Sequence, residues 1–229
     1  MSGRLLLFDI DGTLLLTGGA GMRAMRRVAA ELFGDGFRWD GIEVSGHLDP
    51  LIFAEAAALN QITDHAAHHD SFRDRYLDLL VDELDRGRDG VRAMPGVADT
   101  LAILRSRPDL TLGLLTGNYT RAIPIKLGAI GVDPAWFEIT AFGDEGESRA
   151  ALVAVAIGKY AARSGAPVDP RRVIVIGDTP RDVDCARANG CISFAVATGK
   201  FDVEALRAAG ADVVVPDLSD PEPLLRLCE

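Results

Sequence analysis

Lysine is scarce in this chain: Lys126, Lys159 and Lys200 are the only three in 229 residues. The remaining cations are arginines, and together 24 basic residues face 34 acidic ones, for a formal net charge of −10. A nucleic-acid binder normally carries a basic patch or stripe, so this balance excludes nucleic acid as the expected partner. Cysteine is also sparse: Cys185, Cys191 and Cys228 are an odd number without metal-type spacing. That usage predicts neither a disulfide framework nor a zinc site and fits a reduced, cytoplasmic location. No apolar run reaches membrane-spanning length. The first, in "MSGRLLLF", is cut short by Asp9, which predicts neither a signal sequence nor a membrane anchor. Internal repeats and low-complexity tracts are absent too.

What is present is 48% hydrophobic and 25% charged residues, the mixture of a globular domain with a sizeable core. The length suits one domain, or one domain carrying an insertion. Short apolar runs bounded by turn residues read as buried strands at residues 5–10, 110–116, 172–176, 192–196 and 213–215, with a weaker one at 139–142. Helical patterns fall between them, at 97–105, 121–130, 149–163, 182–188 and 204–209. Strand alternating with helix predicts an α/β fold with a Rossmann-like parallel sheet. Residues 17–94 break the rhythm, with helical patterns at 21–33, 50–59 and 65–86 and no strand pattern. The expected organisation is an α/β core from residues 1–16 and 95–229 and an inserted helical domain at 17–94.

The stretch "LLLFDIDGTL" places Asp9 and Asp11 two residues apart at the end of the first strand. Ligands of open parallel sheets sit beyond the carboxyl ends of the strands. Two nearby carboxylates repel unless a cation joins them, and Mg²⁺, a hard ion, takes carboxylates, waters and phosphate oxygens. One carboxylate of such a pair can attack phosphorus while the other moves a proton. Gly12 permits a tight turn whose N–H groups can face phosphate. The same "DIDGT" also reads as an ordinary turn. A second strand ends in "LLTGN", with Thr116, Gly117 and Asn118 offering groups that hydrogen-bond phosphate oxygens. A third ends in "VIGDTPRDV", with Asp178 placed to complete an Mg²⁺ shell and Asp182 either supporting it or serving the first turn of a helix.

In this order the motifs "DIDGTL", "LLTGN" and "VIGDTPRDV" resemble the haloacid dehalogenase superfamily, and within it the phosphoglycolate-phosphatase-like branch. "RAMPGVADTLAIL" and "FAVATGKFDVEALRAAGADVVVPDL" extend the likeness over nearly the whole chain. The resemblance implies a Rossmann-like core with a C1-type helical cap, Mg²⁺ as cofactor and a small phosphorylated metabolite as substrate, in a monomer or homodimer. It implies Asp9 as nucleophile, Asp11 as general acid and base whose backbone carbonyl reaches the metal, and Thr116 as phosphoryl ligand. Asp9, Asp11 and Asp178 would hold the metal, with Asp182 in support. Aspartate at position 11 favours phosphoryl chemistry over dehalogenation.

The family's third motif usually carries a lysine, often before a proline, and no Lys-Pro pair occurs here. Arg149 at a helix start is the expected substitute, since guanidinium clamps phosphate through two parallel bonds. Glu145 and Glu147 beside it offer it an alternative surface role. Lys159 falls about 15 Å further along that helix, at 1.5 Å per residue, and is expected in solvent. Lys200 follows a strand end, and Lys126 is expected to lie inside a helix. His47 in "SGHLDP" stands where the family carries a substrate-contacting arginine, so His47, Gly12, Gly117 and Asn118 are the candidate substrate contacts, although Asp49-Pro50 also reads as a helix start. His65, His68 and His69 have helical spacing but are expected in solvent rather than on a metal. The predicted activity is phosphatase chemistry through an aspartyl phosphate. A phosphomutase of the beta-phosphoglucomutase type and a catalytically silent phosphate-binding module are the alternatives.

Overall fold

The first strand is buried on both faces because four successive apolar residues are shared out between two cores. In the computed structural model, which describes residues 3–229, β1 (Arg4–Phe8) sends Leu6 and Phe8 to one side of the sheet and Leu5 and Leu7 to the other. Around it lie β4 (Leu110–Leu115), β5 (Ile139–Ala141), β6 (Val173–Gly177), β7 (Ile192–Val196) and β8 (Val213–Val215). The strand order is β5-β4-β1-β6-β7-β8 and every pairing in this sheet is parallel. Register sets Phe8 beside Leu114 and Ile176, so the ends of β1, β4 and β6 lie level. The chain adds β4 and β5 on one side of β1 and then crosses over to add β6, β7 and β8 on the other, and such a reversal is where open sheets leave a crevice.

Helices cover both faces. α4 (Val97–Arg105) and α5 (Ala122–Gly128) contribute Leu101, Leu104, Ile123 and Leu127 to the core that holds Phe8. α6 (Arg149–Ser164) and α7 (Pro180–Ala188) contribute Leu152, Val153, Ala156 and Ala186 to the core that holds Leu5 and Leu7. α8 (Val203–Ala208) and α9 (Glu222–Leu227) complete the chain; α9 falls where no element is predicted from sequence.

Between β1 and α4 the chain forms α1 (Ala20–Phe33), α2 (Asp49–Leu59) and α3 (His65–Arg86). They bury Met25, Val28, Phe53, Phe72, Tyr76 and Leu80 in a core of their own, which reaches Tyr119 and Ala122 beside α5. Residues 17–94 are not wholly helical, contrary to the expectation. β2 (Leu15–Thr17) and β3 (Val91–Ala93) pair antiparallel where the chain leaves and re-enters the sheet region. Three-residue strands are too short for alternation to show in sequence. Gly18 and Gly90 let them close: a Cβ on Gly18 would lie 3.0 Å from Gly90 Cα. No helix among the described residues is long and apolar enough to cross a membrane.

Candidate active site

Past Phe8 the strand continues straight into polar residues, with Asp9 N–H bonded to the Ile176 carbonyl at 2.8 Å. The chain then turns sharply: Leu14 N–H bonds Ile10 O at 2.9 Å, and Gly12 N–H bonds Leu15 O at 2.8 Å. Gly12 sits at φ 86°, a left-handed conformation that glycine adopts without strain. A Cβ there would also run into the Asp178 carboxylate. The turn leaves Asp9 buried, at 4% exposed, and Asp11 part-exposed on the cavity wall.

The end of β4 supplies the second group. Asn118 Nδ2 donates to Asp11 Oδ2 and to Thr116 Oγ1, both at 2.7 Å. Its Oδ1 accepts from Lys126 Nζ, which also lies 2.6 Å from Asp11 Oδ2. A Cβ on Gly117 would overlap the His47 carbonyl, so glycine here lets the loop before α2 close on the strand end. Asp49 N–H bonds Gly117 O at 2.7 Å across the same seam.

The third group follows β6. Asp182 is the third residue of a reciprocal cap: Thr179 N–H donates to its Oδ2 at 3.0 Å, while Thr179 Oγ1 accepts from Asp182 N–H at 3.3 Å. The cap aims Asp182 at Arg149, whose Nη2 also lies 2.9 Å from Asp9 Oδ1. Arg149 is 6% exposed, and its Nε is the one buried side-chain polar atom without a hydrogen bond among the described residues. Burial lifts the Asp9 carboxyl to about 6, with Arg149 opposing. Burial, together with the charges of Asp9 and Asp182, pushes Asp178 up to about 8.

One oxygen each from Asp9, Asp178 and Asp182 can be chosen so that all lie within 4.8 Å of one another, the one such group of His, Cys, Asp or Glu among the described residues. All are hard oxygen donors, and the three carboxyls repel one another, so this set fits Mg²⁺. Glycines pack around it: a Cβ on Gly12 or Gly199 would overlap Asp178, and one on Gly177 would overlap Asp182. The Asp11 carboxylate stands outside this group, turned to Asn118 and Lys126.

Asp9, Asp11, Gly12, Thr116, Gly117, Asn118, Arg149, Asp178 and His47 all line one cavity of about 530 Å³, while Asp182 stands behind Arg149. His47 is tied to Glu55 through Nε2 at 2.8 Å. Asp49 begins α2 with Pro50 behind it, but its carboxyl is no cap; Oδ2 accepts the Tyr119 N–H at 3.1 Å. Lys159 pairs with Glu145 and donates to Thr140 O at 2.6 Å, away from the cavity. His68 faces Asp64, and His69 meets the Tyr119 hydroxyl at 3.0 Å.

Lys126 corrects the sequence reading, which placed it inside a helix and gave it no part in the site. It is inside α5, but buried at 4% and directed into the cavity. One signal was available: Ala122, Ile123 and Leu127 mark the buried face of α5, and position 126 is four residues beyond Ala122, on that face. Asp49 and Tyr76, which line the cavity from α2 and α3, were missed as well.

A family model described as haloacid dehalogenase-like hydrolase matches residues 4–190. The phosphoglycolate phosphatase of Synechococcus elongatus is 36% identical over 130 residues, covering 57% of this chain and 58% of that protein. The phosphoglycolate phosphatase of Escherichia coli is 28% identical over 160 residues, covering 67% of this chain and 57% of that protein. The chain thus spans less than three fifths of the length of these curated relatives. CbbY from Rhodobacter sphaeroides, solved in complex with phosphate, shares the fold with a TM-score of 0.72 at 20% identity over 95% of both chains. A beta-phosphoglucomutase from Clostridium difficile does so with a TM-score of 0.70 at 18% identity, over 99% of this chain and 97% of its own.

Proposed function

This chain belongs to the haloacid dehalogenase-like hydrolases, and we propose that within them it is a Mg²⁺-dependent phosphatase acting on a small phosphorylated metabolite through an aspartyl phosphate. The observation that carries this reading is the setting of Asp9. Its carboxylate is held by Arg149 at 2.9 Å, grouped with Asp178 and Asp182, and open to the cavity that Asp11 and Thr116 also line.

Asp9, Asp178 and the backbone carbonyl of Asp11 would hold the ion, with Asp182 supporting Arg149 from behind. When bound, Mg²⁺ supplies charge that lets carboxylates and a phosphate dianion share one site. The chain's own residues do the rest. An oxygen of Asp9 attacks phosphorus, and the bond from phosphorus to the ester oxygen breaks. Asp11 delivers its proton to that oxygen, releasing the alcohol. Thr116 and Arg149 hold the phosphoryl oxygens as their charge shifts. Asp11, now ionised, takes a proton from the water that attacks the aspartyl phosphate. Inorganic phosphate leaves and both carboxyls return to their starting states. Residues 17–94 would act as a cap whose closure over the cavity controls entry of water and substrate.

The test is turnover of p-nitrophenyl phosphate by the full chain with and without Mg²⁺, beside Asp9→Asn. The wild type is expected to release p-nitrophenol only with the ion, and the folded Asn variant to be inactive, because an amide cannot form the acyl phosphate. Near-normal turnover by Asp9→Asn would overturn the mechanism.

A further inference from the structure

The cavity in front of Asp9 is larger than a phosphoryl group requires. At about 530 Å³ it lies in the range that encloses whole small ligands. Leu16, Met22, Met25 and Ile52 make part of its wall apolar. Two polar groups open into it beside Gly21, in the first turn of α1. A Cβ on Gly21 would lie 3.6 Å from Tyr76 Oη and 4.0 Å from Lys126 Nζ, with nothing else nearer outside its own helix and chain neighbours. Tyr76 is 1% exposed, yet among the described residues its hydroxyl takes part in no hydrogen bond. Tyrosine hydroxyls in a protein interior ordinarily find a partner, and this one, unlike Arg149 Nε, is not closed off but opens into the cavity.

The charges around this point are already matched. Lys126 directs one of its three N–H donors to Asp11 and another to Asn118, leaving one. Arg149 is divided between Asp9 and Asp182, and Lys200 is paired with Glu43 at 3.0 Å. Arg92 lines the cavity from β3 but is exposed, where solvent and salt screen its charge. Asp49, buried on the same wall, adds negative potential whenever it ionises. A second anion on the substrate would therefore compete with Asp11 and Asp49 for Lys126, the buried cation beside Gly21. A hydroxyl would find a donor and an acceptor in Tyr76 and a donor in Lys126.

Resting on the phosphatase reading, we propose that the substrate's leaving group is a neutral, hydroxylated alcohol, a polyol or sugar rather than a hydroxy acid. One of its hydroxyls is received between Tyr76 Oη and Lys126 Nζ above Gly21. Its carbon skeleton lies against Met22, Met25 and Ile52.

Three esters of matched size separate the possibilities: 2-hydroxyethyl phosphate, ethyl phosphate and 2-phosphoglycolate, each assayed as kcat/KM on the full chain with Mg²⁺. The hydroxyethyl ester is expected to exceed the other two by at least about 10-fold, because a site built to bond a hydroxyl discriminates against analogues that lack it. Tyr76→Phe keeps the ring and removes the hydroxyl. Gly21→Ala places a methyl group in the same space and suits a helix. Each is expected to shrink the preference for hydroxyethyl over ethyl phosphate at least about fivefold. A preference for 2-phosphoglycolate overturns the inference, as does an unchanged hydroxyethyl preference in both variants. Failure to hydrolyse any ester, p-nitrophenyl phosphate included, would instead remove the phosphatase reading, and this inference with it.

Discussion

Lys126 Nζ lies 2.6 Å from Asp11 Oδ2, linking the last turn of α5 to the turn after β1. Asn118 completes a triangle by donating to the same Asp11 oxygen and accepting from Lys126. Two donors thereby hold the Asp11 carboxylate in one orientation. Lys126→Met is expected to lower kcat on p-nitrophenyl phosphate by about 10-fold or more, since proton transfer depends on that orientation. Lys126→Arg should restore part of it. In an Asp11→Asn background the Lys126→Met effect should largely vanish, because the two act as one unit. Additive losses in the double variant would separate Lys126 from Asp11.

Arg149 and Lys159 share one helix but not one environment. Arg149 is buried against Asp9, whereas Lys159 is exposed and paired with Glu145. Arg149→Ala is expected to cost about 10²-fold or more in turnover, as when one electrostatic stabiliser is removed. Arg149→Lys should recover part of the loss, returning the charge without the fork. Lys159→Ala should leave turnover near wild type. The reverse pattern in steady-state kinetics would reassign the third-motif cation.

The Asp178 carboxyl, raised by burial and by Asp9 and Asp182, sits in the grouping that suits a divalent cation. Mg²⁺ is expected to raise the melting temperature of the wild type, because an ion that binds the folded state alone stabilises it by mass action. Asp178→Asn should need a higher Mg²⁺ concentration for half-maximal activity and should show a smaller melting shift. Identical Mg²⁺ titrations by both readouts would take Asp178 out of the metal shell.

Burial raises the Asp49 carboxyl from 3.8 to about 7, with Lys126 opposing. The folded chain thus keeps a proton that the unfolded chain releases. Any stability this proton confers is complete below pH 3.8 and is lost as pH rises through about 7. Asp49→Asn keeps an acceptor for the Tyr119 N–H without carrying charge. In urea titrations its stability relative to wild type should therefore rise between pH 4 and pH 8, by on the order of 3 kcal/mol. A difference that does not change with pH would show that Asp49 ionises without cost in the fold.

The residues at the strand ends were legible without a structure. Buried parallel strands are continuous apolar runs, so polar residues that interrupt them, such as Asp9, Thr116 and Asp178, stand out in sequence. The order of those interruptions carried the family resemblance. Arg149 was legible for a related reason, since it begins a helix that follows a strand and so lies on the strand-end side. Helical periodicity could have told that position 126 faces inward, but not that Asp11 and Asn118 wait there. Asp49 read as a helix start and Tyr76 lay unremarked within the helical pattern at 65–86, because nothing in their local sequence sets them apart from caps and cores. What turned them toward the cavity was the return of β3 beside β2 and the packing of α1 and α3 against Tyr119 and Ala122. Those contacts join segments far apart in the chain, and periodicity within one segment holds no information about which distant face will meet it. Sequence by itself determined the sheet and the residues at its strand ends; tertiary packing decided which side chains the helices between β1 and α4 bring to them.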